Sequence, residues 1–427
     1  MTDEIVLITR VRTLNKGNQA LSAAWLAMLQ RAFPDAAIRL LERRPRHLVQ
    51  YSLRRLAMER DPVAAFDRLT TKLAAMAPGP ELAGPVRGKT AILLDETIPP
   101  PQRFGALRQR LNLRGLLAAT GYYADDYRKR LSACQRAKLV VVNPAGEFFP
   151  RDPQAALYHL LDAAVANKLG CPTAIVNHTL DLDDPTLRKI IPVLYRSLSL
   201  VGFRDGKSIE AFRKMGGDPS NVLVTPDLAL THDFSGTHER RTGVVGVTVN
   251  APEALSRGYL EQWIEVIEGL LARGFKVELI SNEMPAELEF YEQLQRRFKG
   301  VTIAGAGLGH DKYAELLATY ELVISSRMHT GILAMVTGTP VVPVEGASFK
   351  ITALFQELGL ANPVIQPTQS GWARRVLDEV MAVRGQGEAA SVACSSKVSA
   401  ARDRIITLLV PRLQEAARST AQQRVVS

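Results

Sequence analysis

The chain has 427 residues, 46% of them hydrophobic and 22% charged, with a formal net charge of +10 at pH 7. At about 150 residues per domain this length calls for two or three cores, and the composition excludes a disordered tail. No apolar run approaches the roughly 18 residues that a bilayer span requires, and the start MTDEIVLITRV lacks a leader pattern, so a cytoplasmic chain is expected.

Residues 4 to 9 (EIVLIT) are apolar with little interruption and predict a first buried strand. Thr13 to Gln19 forms a polar, Gly-containing turn, followed by an amphipathic helix from Ala20 to Ala32 and a strand from Ala37 to Leu41. A turn of this kind between strand and helix is a common binding loop, which makes Asn15 and Asn18 candidate substrate contacts. The region from Arg43 to Arg130 has no clear period. Arg43, Arg44, Arg46, Arg54 and Arg55, then Arg103, Arg108, Arg110, Arg114, Arg128, Lys129 and Arg130, flank a Pro/Gly-rich stretch from Ala77 to Pro85 and a short strand from Thr90 to Leu94. The expectation is solvated helix faces around an extended loop, with an acceptor-facing or membrane-facing surface as the alternative.

Regular pattern returns at the strand Lys138 to Val142, which ends in Asn143, Pro144, Ala145, Gly146 and Glu147. A helix from Pro153 to Leu169 leads to a strand from Thr173 to Asn177, with His178 and Thr179 at its end. A further strand, Leu200 to Phe203, carries Arg204 and Asp205 at its end. Polar groups on successive strand ends, with helices between them, predict a parallel α/β layer. Val222 to Thr225 and Pro226-Asp227 close this half, and His232 to Thr242 is polar enough to be a linker. A second α/β series follows, with strands at Gly243 to Val249, Lys276 to Ile280 and Val301 to Ala304 and helices at Tyr259 to Ala272 and Ala286 to Phe298. The organisation expected is a first domain at 1–235 with an Arg-rich insertion near 43–130, a second at 243–395, and a tail helix at 396–427 interrupted at Pro411.

The segment Glu321 to Lys350 places charge between two buried strands. Leu322 to Ile324 is a short interior strand, Ser325, Ser326, Arg327, Met328 and His329 form a strand-to-helix turn, and an apolar helix from Ile332 to Val336 stops at Gly338 before a strand from Val341 to Val344. In an open parallel sheet, ligands collect at the carboxyl ends of strands, and a helix start there offers free N–H groups to an anion. A guanidinium and an imidazole two residues apart at that place can converge on one bound group. Cys134, Cys171 and Cys394 show no metal or redox spacing, and no metal site or cofactor is expected. The basic charge favours anionic ligands, and without interleaved aromatics it gives no sign of nucleic acid.

The blocks VGFRDGKSIEAF, VTPDLAL and ELVISSRMHTGILAMVTGTPVVPV, with Lys350 and Leu358-Gly359-Leu360 beyond them, resemble the polysaccharide pyruvyl transferase family. The resemblance takes in the turn Asn15 to Leu21 and the strand before Asn143, and covers most of the chain apart from roughly Arg43 to Arg130 and the carboxyl tail. It implies an α/β fold of two Rossmann-like domains facing across a cleft, as in glycosyltransferase-B enzymes. The first domain would be the acceptor side and the second the donor side. It implies transfer of the pyruvyl group of phosphoenolpyruvate to two hydroxyls of one sugar as a cyclic ketal, with release of phosphate, in the synthesis of cell-surface or exopolysaccharide.

On that reading Arg204 and Arg327 supply rigid forks for the donor's carboxylate and phosphate from opposite domains, and His329 is the acid that protonates the methylene. Ser326, Thr330, Lys350, Asn143 and His178 are further substrate contacts. Glu147 is the candidate base for the acceptor hydroxyl, with helix capping as its alternative role. The turns Asn143-Pro144-Ala145-Gly146-Glu147 and Asn15-Lys16-Gly17-Asn18-Gln19 depart from the family's usual Gly-Gly and acidic patterns, which bears on the acceptor more than on the donor. A lipid-linked acceptor would bring the chain to the anionic inner face of a membrane, where the excess of arginine gives a peripheral, salt-sensitive contact. Two alternatives stay open: a nucleotide-sugar glycosyltransferase, against which Leu333 stands where a ribose-binding Glu is usual, and a non-catalytic glycan-binding relative.

Overall fold

Seven parallel strands build the first sheet of the computed structural model: β1 (Glu4–Thr9), β2 (Ala37–Glu42), β3 (Thr90–Leu93), β4 (Leu139–Val142), β5 (Thr173–His178), β6 (Leu200–Phe203) and β7 (Val222–Val224). Their spatial order is β3-β2-β1-β4-β5-β6-β7, each pair parallel. The structure describes residues 3–424 apart from 12, 85, 87, 94–119, 235, 237 and 347, so Arg103, Arg108, Arg110 and Arg114 lie outside the described residues. β1, β4, β5 and β6 are buried along their whole length, which is why their sequences run apolar instead of alternating. Leu157, Leu160 and Leu161 of the helix Pro153–Lys168 close one core with Ile175 and Phe203. Each such buried side chain contributes about 1.5–3 kcal/mol.

A second sheet has five parallel strands, β8 (Arg241–Thr248), β9 (Lys276–Ile280), β10 (Thr302–Ala304), β11 (Tyr320–Ser325) and β12 (Val341–Pro343), in the order β10-β9-β8-β11-β12. In both sheets the strand order turns back beside the first strand, between β1 and β4 and between β8 and β11. Those two places are the topological switch points at which doubly wound sheets open toward a ligand.

The chain divides into two compact units, one comprising Met1–Arg12, Leu26–Thr225 and Thr407–Ser427, the other Thr13–Trp25 and Pro226–Ile406. The amino-terminal turn, assigned from the sequence to the acceptor half, therefore belongs with the second sheet. Its helix also begins earlier than the sequence pattern indicates, at Lys16, because the Asn15 side-chain oxygen accepts from the Asn18 N–H at 3.1 Å and caps the first turn. The apolar helix of the second unit likewise starts at Met328 and not at Ile332, so His329 is a first-turn residue.

Two further expectations are corrected. The tail is one helix, Glu388–Arg424, which continues through Pro411. A proline in a helix costs about 3 kcal/mol, and burial of Leu409 and Leu413 on either side offsets that cost. Arg43 and Arg130 do not lie on solvated faces: both are buried, and Arg130 meets Asp162 at 2.9 Å and the Glu42 carbonyl at 2.7 Å. A buried guanidinium with that many acceptors fixes the helix Ala124–Arg136 to its sheet.

Candidate active site

The second unit's switch point carries the Ser-Ser-Arg-Met-His segment. Ser325 Oγ accepts from the Arg327 N–H at 3.2 Å and donates to the Arg327 carbonyl at 2.7 Å, which folds the chain sharply at the end of β11. Ser326 is buried; its Oγ accepts from the Asn250 N–H at 2.7 Å and its N–H reaches the Thr248 carbonyl at 3.0 Å. It ties the end of β11 to the end of β8. Arg327 then takes an extended backbone as the N-cap of the helix Met328–Val336, which has no acidic residue in its first turn. The leading N–H groups of such a helix carry partial positive charge. The Thr330 hydroxyl pairs with Tyr313 at 3.1 Å inside the core, so what this residue offers a substrate is its place among the helix's leading N–H groups and not its side chain.

Arg327 is aimed by Glu287. Its Nε and Nη2 lie 3.1 and 2.9 Å from Glu287 Oε1. The other oxygen of that fully buried carboxylate accepts from the Asn282 and Glu283 N–H groups at 2.8 and 2.9 Å and from Ser281 Oγ at 3.2 Å. A guanidinium has five donors in a fixed fork, so holding one edge orients the rest. The side chain stays 17% exposed, which leaves room for an anion to meet it.

His329 faces Asp227, with 3.6 Å between Nε2 and Oδ2. Asp227 is buried, and its Oδ1 caps the 3-10 turn Leu228–Thr231 through the Ala229 N–H at 2.9 Å. At 3.6 Å the pair is an electrostatic contact and not a hydrogen bond. Nε2 has no hydrogen-bond partner among the described residues. Gly17 lies against the opposite side: a Cβ there would stand 2.3 Å from His329 Cβ and 2.7 Å from Nδ1. Lys16 is buried beside it, with Nζ donating to the Ala306 carbonyl at 3.1 Å. Burial lowers its pKa, while Glu287 and Glu283 work in the other direction. Asn15 Nδ2 donates to Glu283 at 2.8 Å. The second unit thus gathers Asn15, Asn18, Ser326, Arg327, His329 and Thr330 around one strand end. Lys350 opens the helix Lys350–Leu358, whose first N–H groups are held by Glu345.

The remaining candidates lie in the first unit. Asn143 donates to Thr9 Oγ1 at 3.1 Å across the β1/β4 switch point. Arg204 is buried at the end of β6 and donates through Nε to Thr179 at 2.7 Å. His178 is a core residue, not a substrate contact: it is fully buried between Phe148 and Phe203, bonded to the Tyr195 hydroxyl at 2.8 Å, and burial with the nearby Arg204 charge pulls its pKa down to about 3. Glu147 is likewise corrected as a base. Its carboxylate meets Arg43 at 2.6 Å, Arg44 at 3.0 Å and His159 Nε2 at 2.8 Å. Burial works to raise its pKa, but Arg43, His159 and Arg44 together hold it well below the usual carboxylate range. Such a group holds ion pairs together and does not take protons near neutrality.

Sequence reasoning missed Gly17, Lys16, Asp227 and Glu287. Asp227 was within reach, since it stands in the quoted block VTPDLAL. Glu287 gave no signal, because nothing in NEMPAELEF marks which acid folds back onto an arginine forty residues later.

The sequence profile of the polysaccharide pyruvyl transferases matches residues 15–348. The chain belongs to the polysaccharide pyruvyl transferase family. It is thus a member of an enzyme family that modifies saccharides, and every candidate residue except Lys350 lies inside the match. A comparison with curated proteins finds no match. Among solved structures the pyruvyl transferase chain is similar to a putative UDP-N-acetylglucosamine 2-epimerase from Listeria monocytogenes (12% identity, 99% of this chain and 97% of that one, TM-score 0.53). It is also similar to UGT71G1 of Medicago truncatula, solved with UDP-glucose (11% identity, 99% and 98% covered, TM-score 0.52). At such identity these likenesses speak for the fold alone, which is that of glycosyltransferase-B enzymes and epimerases, with two Rossmann-like domains. Among the described residues no helix is long and apolar enough to cross a membrane.

Proposed function

We propose that this pyruvyl transferase uses phosphoenolpyruvate as donor and forms a cyclic ketal on a saccharide. Arg327 and the first-turn N–H groups of Met328–Val336 receive the donor's anionic end. His329 is its proton donor. In the reaction one sugar hydroxyl adds to the enol carbon as the methylene gains a proton and becomes a methyl group. A second hydroxyl of the same sugar then displaces phosphate from that carbon. The two hydroxyl protons are accounted for by the methyl group and the released phosphate.

The observation that carries this reading is the pairing of a guanidinium aimed by a buried carboxylate with an imidazole whose Nε2 lacks a hydrogen-bond partner among the described residues, two positions apart at a helix start. The fork suits a carboxylate or phosphate, and the imidazole is the side chain that exchanges protons near neutral pH. Asp227 acts as a positioning residue that faces the imidazole and fixes its orientation. An acid that acts in the transition state, when removed, lowers turnover more than binding. His329→Ala is expected to lose on the order of a hundredfold in turnover, the usual scale for general acid catalysis. His329→Gln should keep most of its donor affinity, measured by calorimetry. Near-normal turnover of the Ala variant at saturating donor would remove His329 from this role.

A further inference from the structure

His232 and the pair His310-Asp311 are far apart in sequence but meet in the second unit. His232 ends the turn Leu228–Thr231, and His310 and Asp311 open the helix His310–Ala318. Their ligand-capable atoms all lie within 4.8 Å of one another. His232 Nε2 is 3.5 Å from Asp311 Oδ1, and His310 Nε2 is 3.4 Å from the same oxygen. Both distances are long for hydrogen bonds to a carboxylate. They match another geometry: an ion with tetrahedral bonds of about 2.1 Å to nitrogen and oxygen sets its ligand atoms about 3.4 Å apart. The imidazole rings are inclined at 63° with centroids 5.3 Å apart, so they do not stack on each other.

We infer that His232, His310 and Asp311 form a binding site for a zinc-class divalent cation. One feature beyond the cluster itself points to a ligand. His232 is 5% exposed, and its Nε2, the atom turned toward Asp311, has no hydrogen-bond partner among the described residues. A buried polar atom in that condition is destabilising unless something satisfies it. The Asp311 side chain is 71% exposed, so the fourth position of the ion opens to water. Arg402 is the nearby opposing charge, and Asp233 pairs with it at 3.5 Å.

The site has a structural consequence. The turn that begins at Asp227, facing His329, ends at His232. An ion there would pin the far end of that turn to the helix His310–Ala318.

The untagged full-length chain, stripped with chelator, would be titrated with zinc chloride by calorimetry, and with cobalt followed by its visible absorption. Its thermal midpoint would be recorded with and without zinc. The expected result is one zinc per chain, a raised midpoint, and affinity at least about tenfold weaker in both Asp311→Ala and His310→Ala, whose side chains are exposed enough for the fold to tolerate the change. No zinc-dependent shift in the unaltered chain, or zinc affinity in the two variants equal to that of the unaltered chain, would overturn the assignment.

Discussion

A methyl group at position 17 would stand 2.3 Å from the His329 Cβ, closer than side chains approach, so Gly17→Ala must move either the imidazole or the helix start that carries it. Misplacement of this size at a reacting group costs up to about a hundredfold. Gly17→Ala is therefore expected to lower turnover at least tenfold while circular dichroism and the thermal midpoint change little, since the clash is local. An unchanged rate would mean that the imidazole does not need its observed place. The same residue shows where sequence reading stops. The strand-to-helix turn that carries Arg327 and His329 was legible because two buried strands and an apolar helix frame it. Gly17 looked like an ordinary turn glycine because its partner lies over three hundred positions away.

At the scale of elements, the parallel strands were legible from uninterrupted apolar runs such as LVVV and LVI, and their chain order is the one the sequence predicted. Helix starts were less so. Lys16 to Gln19 and Met328 to Thr330 contain too few apolar residues to show a helical period, and backbone N–H groups donating to the Asn15 and Ser325 side chains set those starts instead. The unread arginines follow the same logic. Arg43 and Arg130 look like surface charges until Glu147 and Asp162, distant in sequence, are seen to receive them. The helix start gives a direct test. Asn15→Ala removes the cap of Lys16–Ala32 together with the bond to Glu283, and should cost about 0.5–2 kcal/mol of stability in denaturant unfolding. A cost near zero would show that the helix is held by packing alone.

For the whole molecule, buried ionisable groups set the dependence of stability on pH. His178 has a folded pKa of about 3, below the ordinary histidine value near 6.5. Between those two values the unfolded chain binds the extra proton, so stability is full above about pH 6.5 and falls as pH drops toward 3. The depressed Glu147 adds a second loss of the same sign, beginning as pH falls below the ordinary carboxylate range. Unfolding curves at pH 7, 6, 5 and 4 should show a steady decline, shallower in His178→Gln; a flat profile between pH 6.5 and 4 would contradict the burial of a neutral imidazole. The proposed reaction is tested by phosphate release from phosphoenolpyruvate with a panel of free and lipid-linked saccharides, with mass spectrometry of the product. Release that depends on a saccharide, a product heavier by one pyruvyl ketal, and loss of both in His329→Ala are expected. Sugar transfer from a nucleotide sugar, with no phosphate released from phosphoenolpyruvate by any acceptor, would contradict it.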